Sequence, residues 1–248
     1  MGQVVRYNEI EKGIVMIKME EREARNTFTP ELINGIIEAF DYVRNYKECK
    51  AVILTGFDNY FCCGGTKEEL MKIYKGEINF NDLTFFMLPL FCDVPVISAM
   101  QGHGIGGGFV FGLYSDFTIL GKENIYTTNF MKYGFTPGMG GTLVVPARLG
   151  NTLGQEMLFT ARNYRGDELA KRGVELKVVS KANVVKEAVT LARSLAEKPR
   201  LSLEILKKHL SRDLRDRIYE YIADEVKMHD ITFHVPEVEL RIEKLFGQ

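Results

Sequence analysis

Apolar residues in the first part of the chain switch between strand-like and helix-like spacing. Residues 14–19, Ile-Val-Met-Ile-Lys-Met, read as a short strand. Thr29 and Pro30 then open a helix, the threonine as N-cap and the proline at the first helical position. Leu32, Ile36, Ala39, Phe40 and Val43 recur on one face of that helix, to about residue 44. The run 51–54 is apolar throughout and predicts a buried strand, followed by a loop over 55–66 and a helix over 67–75. A further helix is expected near 83–91, and buried strands at 94–100 and 117–120. Short strands separated by helices predict an α/β core.

Beyond that point helical spacing dominates. Apolar residues recur with it over 152–160, 166–172, 183–197, 201–210 and 215–233, with one brief strand at 176–179. The change near residue 180 predicts an α/β core over 1–180 and a helical region over 181–248 that serves oligomer contacts. There is no internal repeat and no low-complexity tract.

Composition narrows the class without naming a chemistry. The 248 residues are 46% hydrophobic and 26% charged with a net charge of −1, as expected of an ordinary globular protein with no basic field for nucleic acid. No apolar run reaches the ~18 residues a membrane span needs. The first residues, Met1-Gly2-Gln3-Val4-Val5-Arg6, lack a signal-peptide pattern. Cysteines at 49, 62, 63 and 92 show no metal-ligand spacing, so a reduced, cytoplasmic protein without a metal site is expected.

The chemistry concentrates in Gly102-His103-Gly104-Ile105-Gly106-Gly107-Gly108, directly after the apolar run 94–100. Five glycines between a buried strand and a helix opening at Gly107 mean that the backbone approaches something closely. Three readings are open. Gly102, Gly104 and Gly107 satisfy the dinucleotide pattern G-x-G-x-x-G, with Glu123 near the place of a ribose-binding acid. Only 109–115 remains for the helix, however, which is short for such a crossover, and no second nucleotide-binding half follows. A second reading is a glycine turn for close helix–strand packing. The third is an oxyanion hole, whose other donor would come from Tyr60-Phe61-Cys62-Cys63-Gly64-Gly65-Thr66, also a strand-to-helix connection. Two N–H groups on one thioester oxygen would stabilise an enolate, each for about 3–4 kcal/mol of barrier.

Phe61-Cys62-Cys63-Gly64-Gly65, then Gly102…Gly106-Gly107-Gly108, then Thr136-Pro137-Gly138-Met139-Gly140-Gly141-Thr142 with Leu149-Gly150, resemble the enoyl-CoA hydratase/isomerase (crotonase) superfamily over essentially the whole chain. The resemblance implies a spiral of ββα units with a helical C-terminal region, assembly as a homotrimer or a pair of trimers, and a thioester oxyanion hole made by the N–H groups of Gly65 and Gly107. Two departures matter. The family's hydratases carry one glutamate three residues after the second oxyanion glycine and another shortly before P-G-x-G-G-T; these positions are Val110 and Phe130 here. Neither side chain moves a proton, so addition of water in the usual way is not supported. Decarboxylation needs no strong base, because loss of CO₂ itself supplies the electron pair.

The stretches 101–109 and 129–139 are similar to the crotonase-like decarboxylases of bacterial polyketide β-branching cassettes. This implies decarboxylation of a 3-methylglutaconyl thioester on an acyl carrier protein, giving a methylcrotonyl-type product. No cofactor is expected beyond the phosphopantetheine or coenzyme A that carries the acyl group. Ile218, Ile222, Val226, His229 and Phe233 fall on one helical face, so His229 points inward. By itself that is a core histidine; the resemblance makes it the proton donor or the partner of the departing carboxylate. Among Lys67, Lys72 and Lys75, Lys72 is favoured for the substrate carboxylate, and a solvated helix face is the bland alternative. Arg25, with Arg22, is placed to meet a phosphopantetheine phosphate or an acidic carrier protein. Cys63, Thr66, Phe130 and Pro137 are expected to line the substrate, the cysteines as small packing residues rather than nucleophiles, and His103 is read as structural. The competing functions are a Δ3,Δ2-enoyl isomerase or a hydratase using Glu68 or Glu69, and a non-catalytic protein that binds acyl carrier protein.

Overall fold

The computed structural model describes residues 3–78 and 84–246. Among these residues ten strands form two sheets. The larger runs in the order β1 (Val5–Glu11), β2 (Ile14–Met19), β3 (Ala51–Thr55), β5 (Val96–Met100), β7 (Phe117–Gly121), β10 (Lys177–Val179). The smaller runs β4 (Tyr60–Cys62), β6 (His103–Ile105), β8 (Ile125–Thr127), β9 (Tyr164–Arg165). From β2 to β10 the larger sheet is parallel, and only β1 is antiparallel to its neighbour.

The uninterrupted apolar runs follow from that parallel sheet being covered on both faces. Val52, Leu54, Val96 and Leu120 face a core built with Leu32, Ile36, Ala39 and Phe40 of α1 (Pro30–Asn45). Alternate residues Ala51, Ile53, Ile97, Ala99 and Ile119 pack with Val184, Ala188 and Ala192 of α8 (Val184–Ala196). The first helix of the 181–248 segment therefore covers the sheet itself. Thr29 caps α1 as expected, its hydroxyl accepting from Leu32 N at 3.1 Å, with Pro30 next to it.

Each spiral turn gives one strand to each sheet and then a helix. β3 leads to β4 and α2 (Lys67–Tyr74); β5 leads to β6 and α4 (Gly107–Leu113); β7 leads to β8 and a short 3₁₀ turn at Met131–Tyr133. The small-sheet strands are three residues long or less, too short for sequence alternation to register, and β4 falls inside the loop expected over 55–66. The helix expected near 83–91 is a 3₁₀ turn, Phe85–Met87, running into α3 (Leu88–Phe91); its expected start at residue 83 lies outside the described residues. The second half adds α5 (Gly141–Leu149), α6 (Asn151–Thr160), α7 (Gly166–Lys171), α9 (Arg200–Leu210), α10 (Arg212–Thr232) and α11 (Pro236–Leu245). Among the described residues no helix is long and apolar enough to cross a membrane.

Candidate active site

β4, β6 and β8 are parallel neighbours, so the loops leaving their C-terminal ends lie side by side. These are Cys63–Thr66, the turn at Gly106 into α4, and the segment from Thr128 to Thr142. The first two loops touch. A Cβ on Gly64 would stand 2.9 Å from Ile105 O, 3.1 Å from Gly107 N and 3.4 Å from Gly108 N. Gly64 also has φ +77, where an L side chain is strained, so glycine is required there twice over. On its other side its carbonyl accepts from Phe28 N at 2.7 Å. Gly65 beside it is open: a Cβ there would meet only the Leu70 side chain, at 3.7 Å. No hydrogen bond from Gly65 N or Gly107 N is found among the described residues. The two touching loops thus each carry a backbone N–H with no acceptor among the described residues.

The third loop supplies the wall. The Met139 sulfur and the Phe28 ring lie against Gly107, at 2.6 and 3.0 Å from where its Cβ would be. Around Gly141 the corresponding distances are 3.6 Å to Val110, 3.8 Å to Pro137 and 4.0 Å to Phe130. The two positions that carry glutamates in hydratases therefore converge, and both hold buried hydrocarbon. A groove of about 760 Å³ opens between α5, α6 and α10; it is lined by Met131, Pro137, Leu143, Leu158, Tyr221 and Met228, and neither Gly65 nor Gly107 lines it.

The enoyl-CoA hydratase/isomerase pattern matches residues 9–244. The chain belongs to the enoyl-CoA hydratase/isomerase family. It is 53% identical over 244 residues, 98% of each chain, to the Bacillaene synthase decarboxylase PksI of Bacillus subtilis (strain 168). A solved structure of a dehydratase/decarboxylase enzyme couple involved in polyketide β-branching superposes with a TM-score of 0.98 at 53% identity, covering 99% of this chain and 100% of that one. The ECH2 decarboxylase domain of CurF from Lyngbya majuscula superposes with a TM-score of 0.95 at 43% identity, again over 99% and 100%. The chain is a crotonase-family decarboxylase.

Within this family frame, the other expected site residues occupy distinct places. His229 is buried on α10; its Nε2–H donates to Thr136 O at 2.8 Å, and its ring meets Phe135 and Phe233 edge-on. Burial holds it below the usual 6.5, against the opposing pull of the Thr136 and Pro137 carbonyls. Lys72 pairs with Glu68 at 2.9 Å, one turn away on a solvent-facing side of α2. Thr66 is the N-cap of that helix: its hydroxyl accepts from Glu69 N at 3.0 Å, and Glu69 accepts from Thr66 N at 3.1 Å. Both carboxylates of the hydratase alternative are thus engaged, Glu68 held ionised by Lys72 and Glu69 in the cap. Cys63 lies beside Arg25, but burial outweighs that cation and pushes its thiol up to about 11. Arg25 has φ +55 and stacks over Tyr60 at 5.7 Å.

The dinucleotide reading fails on geometry. Gly102 has no room for a Cβ because Tyr60 N would be 2.3 Å away, which makes it a packing glycine. Glu123 accepts from Lys181 N at 2.7 Å instead of waiting for a ribose. His103 Nδ1 accepts from Ile125 N at 2.9 Å, a strand-to-strand tie.

Two supporting residues escape the sequence reading. Asn26, buried at φ +54, donates to Met19 O and Phe61 O and accepts from Glu21 N, while its carbonyl takes Cys63 N; it fixes the loop that ends in Gly64. Glu225 is the other. The periodicity places Val226 inward, but the structure half-buries Val226 and buries Glu225. The spacing 218, 222, 225, 229 fits the same helical face equally well; hydrophobicity pointed to the wrong neighbour.

Proposed function

We propose that this decarboxylase acts in polyketide β-branching, removing CO₂ from a 3-methylglutaconyl group held as a thioester on the phosphopantetheine of an acyl carrier protein. The observation that carries the reading is the replacement of both hydratase carboxylate positions by Val110 and Phe130, beside two amides with no acceptor among the described residues. The named activities of the relatives point the same way.

The thioester oxygen accepts from Gly65 N and Gly107 N. The bond between the terminal carboxyl carbon and C4 breaks, CO₂ leaves, and its electron pair passes through the C2–C3 double bond to the thioester oxygen. The resulting dienolate is the species that the two donors stabilise, each for about 3–4 kcal/mol. Val110, Phe130 and Pro137 exclude water from the forming carbanion, and an apolar surrounding favours loss of the charged carboxylate as neutral CO₂. Protonation at C4 gives the 3-methylcrotonyl thioester.

His229 is our candidate for returning that proton. It rests neutral because it is buried, and an anionic substrate beside it raises its affinity for a proton. Lys72 meets the substrate carboxylate by exchanging it for Glu68. Arg25 and Cys63 flank the entry of the pantetheine arm, with Arg25 facing its phosphate or the carrier's acidic surface, and Thr66 shapes the same entry through its cap. Assembly as a homotrimer or a pair of trimers accounts for the exposed apolar residues Leu201, Ile205 and Leu210 of α9.

Intact-mass measurement of carrier protein loaded with 3-methylglutaconyl tests the reading. Loss of one CO₂ per acyl group on adding enzyme is expected. An unchanged mass with a shifted double bond would replace it by isomerisation, and a gain of water by hydration.

A further inference from the structure

The turn that packs on Gly107 is held from outside the spiral. Met139 and Gly140 are both left-handed, at φ 61 and 69. For methionine that conformation costs roughly 1–2 kcal/mol, so something must impose it. Tyr114 Oη donates to Met139 O at 2.5 Å. Glu225 does the rest from α10: Oε2 accepts from Gly140 N at 2.6 Å, and Oε1 accepts from Thr142 N at 2.8 Å and Thr142 Oγ1 at 2.6 Å. The glutamate therefore caps α5 across the fold, because the residue at the cap, Gly140, can supply nothing itself. A Cβ there would lie 2.3 Å from Tyr114 Oη and 2.4 Å from Ile218. A helix that needed only a cap would use a local Ser, Thr or Asp. A buried carboxyl brought from another helix fixes where this turn lies.

We propose that Glu225 is a positioning residue of the thioester site: its carboxylate pins the 139–142 turn, and the Met139 side chain transmits that placement to Gly107, the second oxyanion donor. This rests on the oxyanion role proposed above for Gly65 and Gly107. Glu225→Gln keeps size and shape but must turn its NH₂ toward at least one of the two backbone N–H groups, so at least one bond to the turn is lost. Thr142→Ala removes only the hydroxyl bond and leaves both backbone bonds in place.

The test compares the affinity of wild type and both variants for 3-methylcrotonyl-phosphopantetheine and for its thioether analogue, in which CH₂ replaces the carbonyl. The thioether cannot use the oxyanion donors, so general loosening of the fold lowers both affinities alike, whereas a displaced donor lowers only the first. Wild type should prefer the thioester. That preference should fall on the order of tenfold in Glu225→Gln and less in Thr142→Ala, with kcat falling in the same order, as expected when a donor is misplaced rather than deleted. If wild type shows the preference and both folded variants keep it, the positioning role is overturned while the oxyanion role stands. If wild type shows none, both are overturned. Should Glu225→Gln not fold, the Thr142→Ala ratio decides alone, a wild-type value overturning the proposal.

Discussion

Gly64 neither donates to the substrate nor lies in a helix, yet replacing it should cripple the enzyme. Alanine at φ +77 costs about 1–2 kcal/mol in backbone strain. Its Cβ would also enter the seam between the two oxyanion loops, 2.9 Å from Ile105 O and 3.1 Å from Gly107 N. Both neighbours are backbone, so relief requires the loops to part by a few tenths of an ångström. Oxyanion donors work over a window of only about 2.7–3.1 Å, so a shift of that size removes most of one donor's contribution. Gly64→Ala should therefore lower kcat by about 10²-fold, near the low end for loss of a whole donor, with the melting temperature down by only a few degrees. Gly173→Ala is the internal control: it has the same φ of +77 but nothing lies within 4 Å of where its Cβ would be, so it carries the strain without the seam contact and near-wild-type turnover is expected. Steady-state kinetics with scanning fluorimetry and sizing chromatography check both. Full activity in Gly64→Ala, or equal damage from Gly173→Ala, would refute the reasoning.

Three further outcomes follow from individual side chains. His229→Ala should keep thioester binding and lose roughly 10²–10⁴-fold in turnover, as for a deleted acid catalyst; single-turnover kinetics at wild-type rate would remove it from the mechanism. Lys207 donates from a buried ammonium to Asp116, Pro89 O and Val94 O at 2.8–3.0 Å, so Lys207→Ala takes the cation from Asp116 (which keeps Val96 N) and a donor from both carbonyls, and should cost about 3 kcal/mol of stability in urea titrations while kcat per folded enzyme stays unchanged. Burial lifts Glu225 to about 7 from the usual 4.5, so between those values the folded protein holds a proton that the unfolded chain has released. Its contribution to stability is thus greatest below pH 4.5 and declines as pH rises to 7, by about 1.4 kcal/mol for each tenfold fall in proton concentration across that window. The unfolding free energy of wild type relative to Glu225→Gln should fall from pH 5 to pH 8, and parallel curves would count against a titrating Glu225.

What the sequence disclosed followed from periodicity and from glycine. The run at 51–54 is apolar throughout, and that at 94–100 apolar apart from Ser98, because α1 and α8 cover both faces of a parallel sheet, and such runs are visible in a single chain. Gly107 and the 63–66 loop stood out because backbone must approach backbone there, and the 3.1 Å from a would-be Gly64 Cβ to Gly107 N is the physical form of that signal. Hidden from it were β4, β6 and β8, whose two or three ladder positions carry no alternation although they bring the three loops together. Asn26 and Glu225 were equally hidden, since each acts on backbone across a long sequence separation, Asn26 donating to Phe61 O and Glu225 accepting from Gly140 N, and backbone has no letter in the sequence. Composition ranks a glutamate amid Ile218, Ile222 and His229 as a surface residue; only the position of Gly140 shows why it must be inside.

The same contrast explains how one scaffold can exchange hydration for decarboxylation. The proposed oxyanion donors belong to the backbone, held by glycines whose missing Cβ atoms let β4, β6 and their loops touch, whereas Val110 and Phe130 are side chains outside that seam. The groups that would move protons onto or off water are side chains on the third loop and on α4, and they can be replaced by hydrocarbon without moving the frame. Filling those positions does more than delete a base. It lowers the polarity around the carboxyl-bearing carbon, which penalises a charged carboxylate more than neutral CO₂. Losing the two acids and gaining a decarboxylase are then one physical change, provided the turn at 139–142 keeps Gly107 in place without them. On the proposal above that fixing falls to Glu225, a carboxylate retained in the interior whose oxygens are taken up by Gly140 N, Thr142 N and the Thr142 hydroxyl.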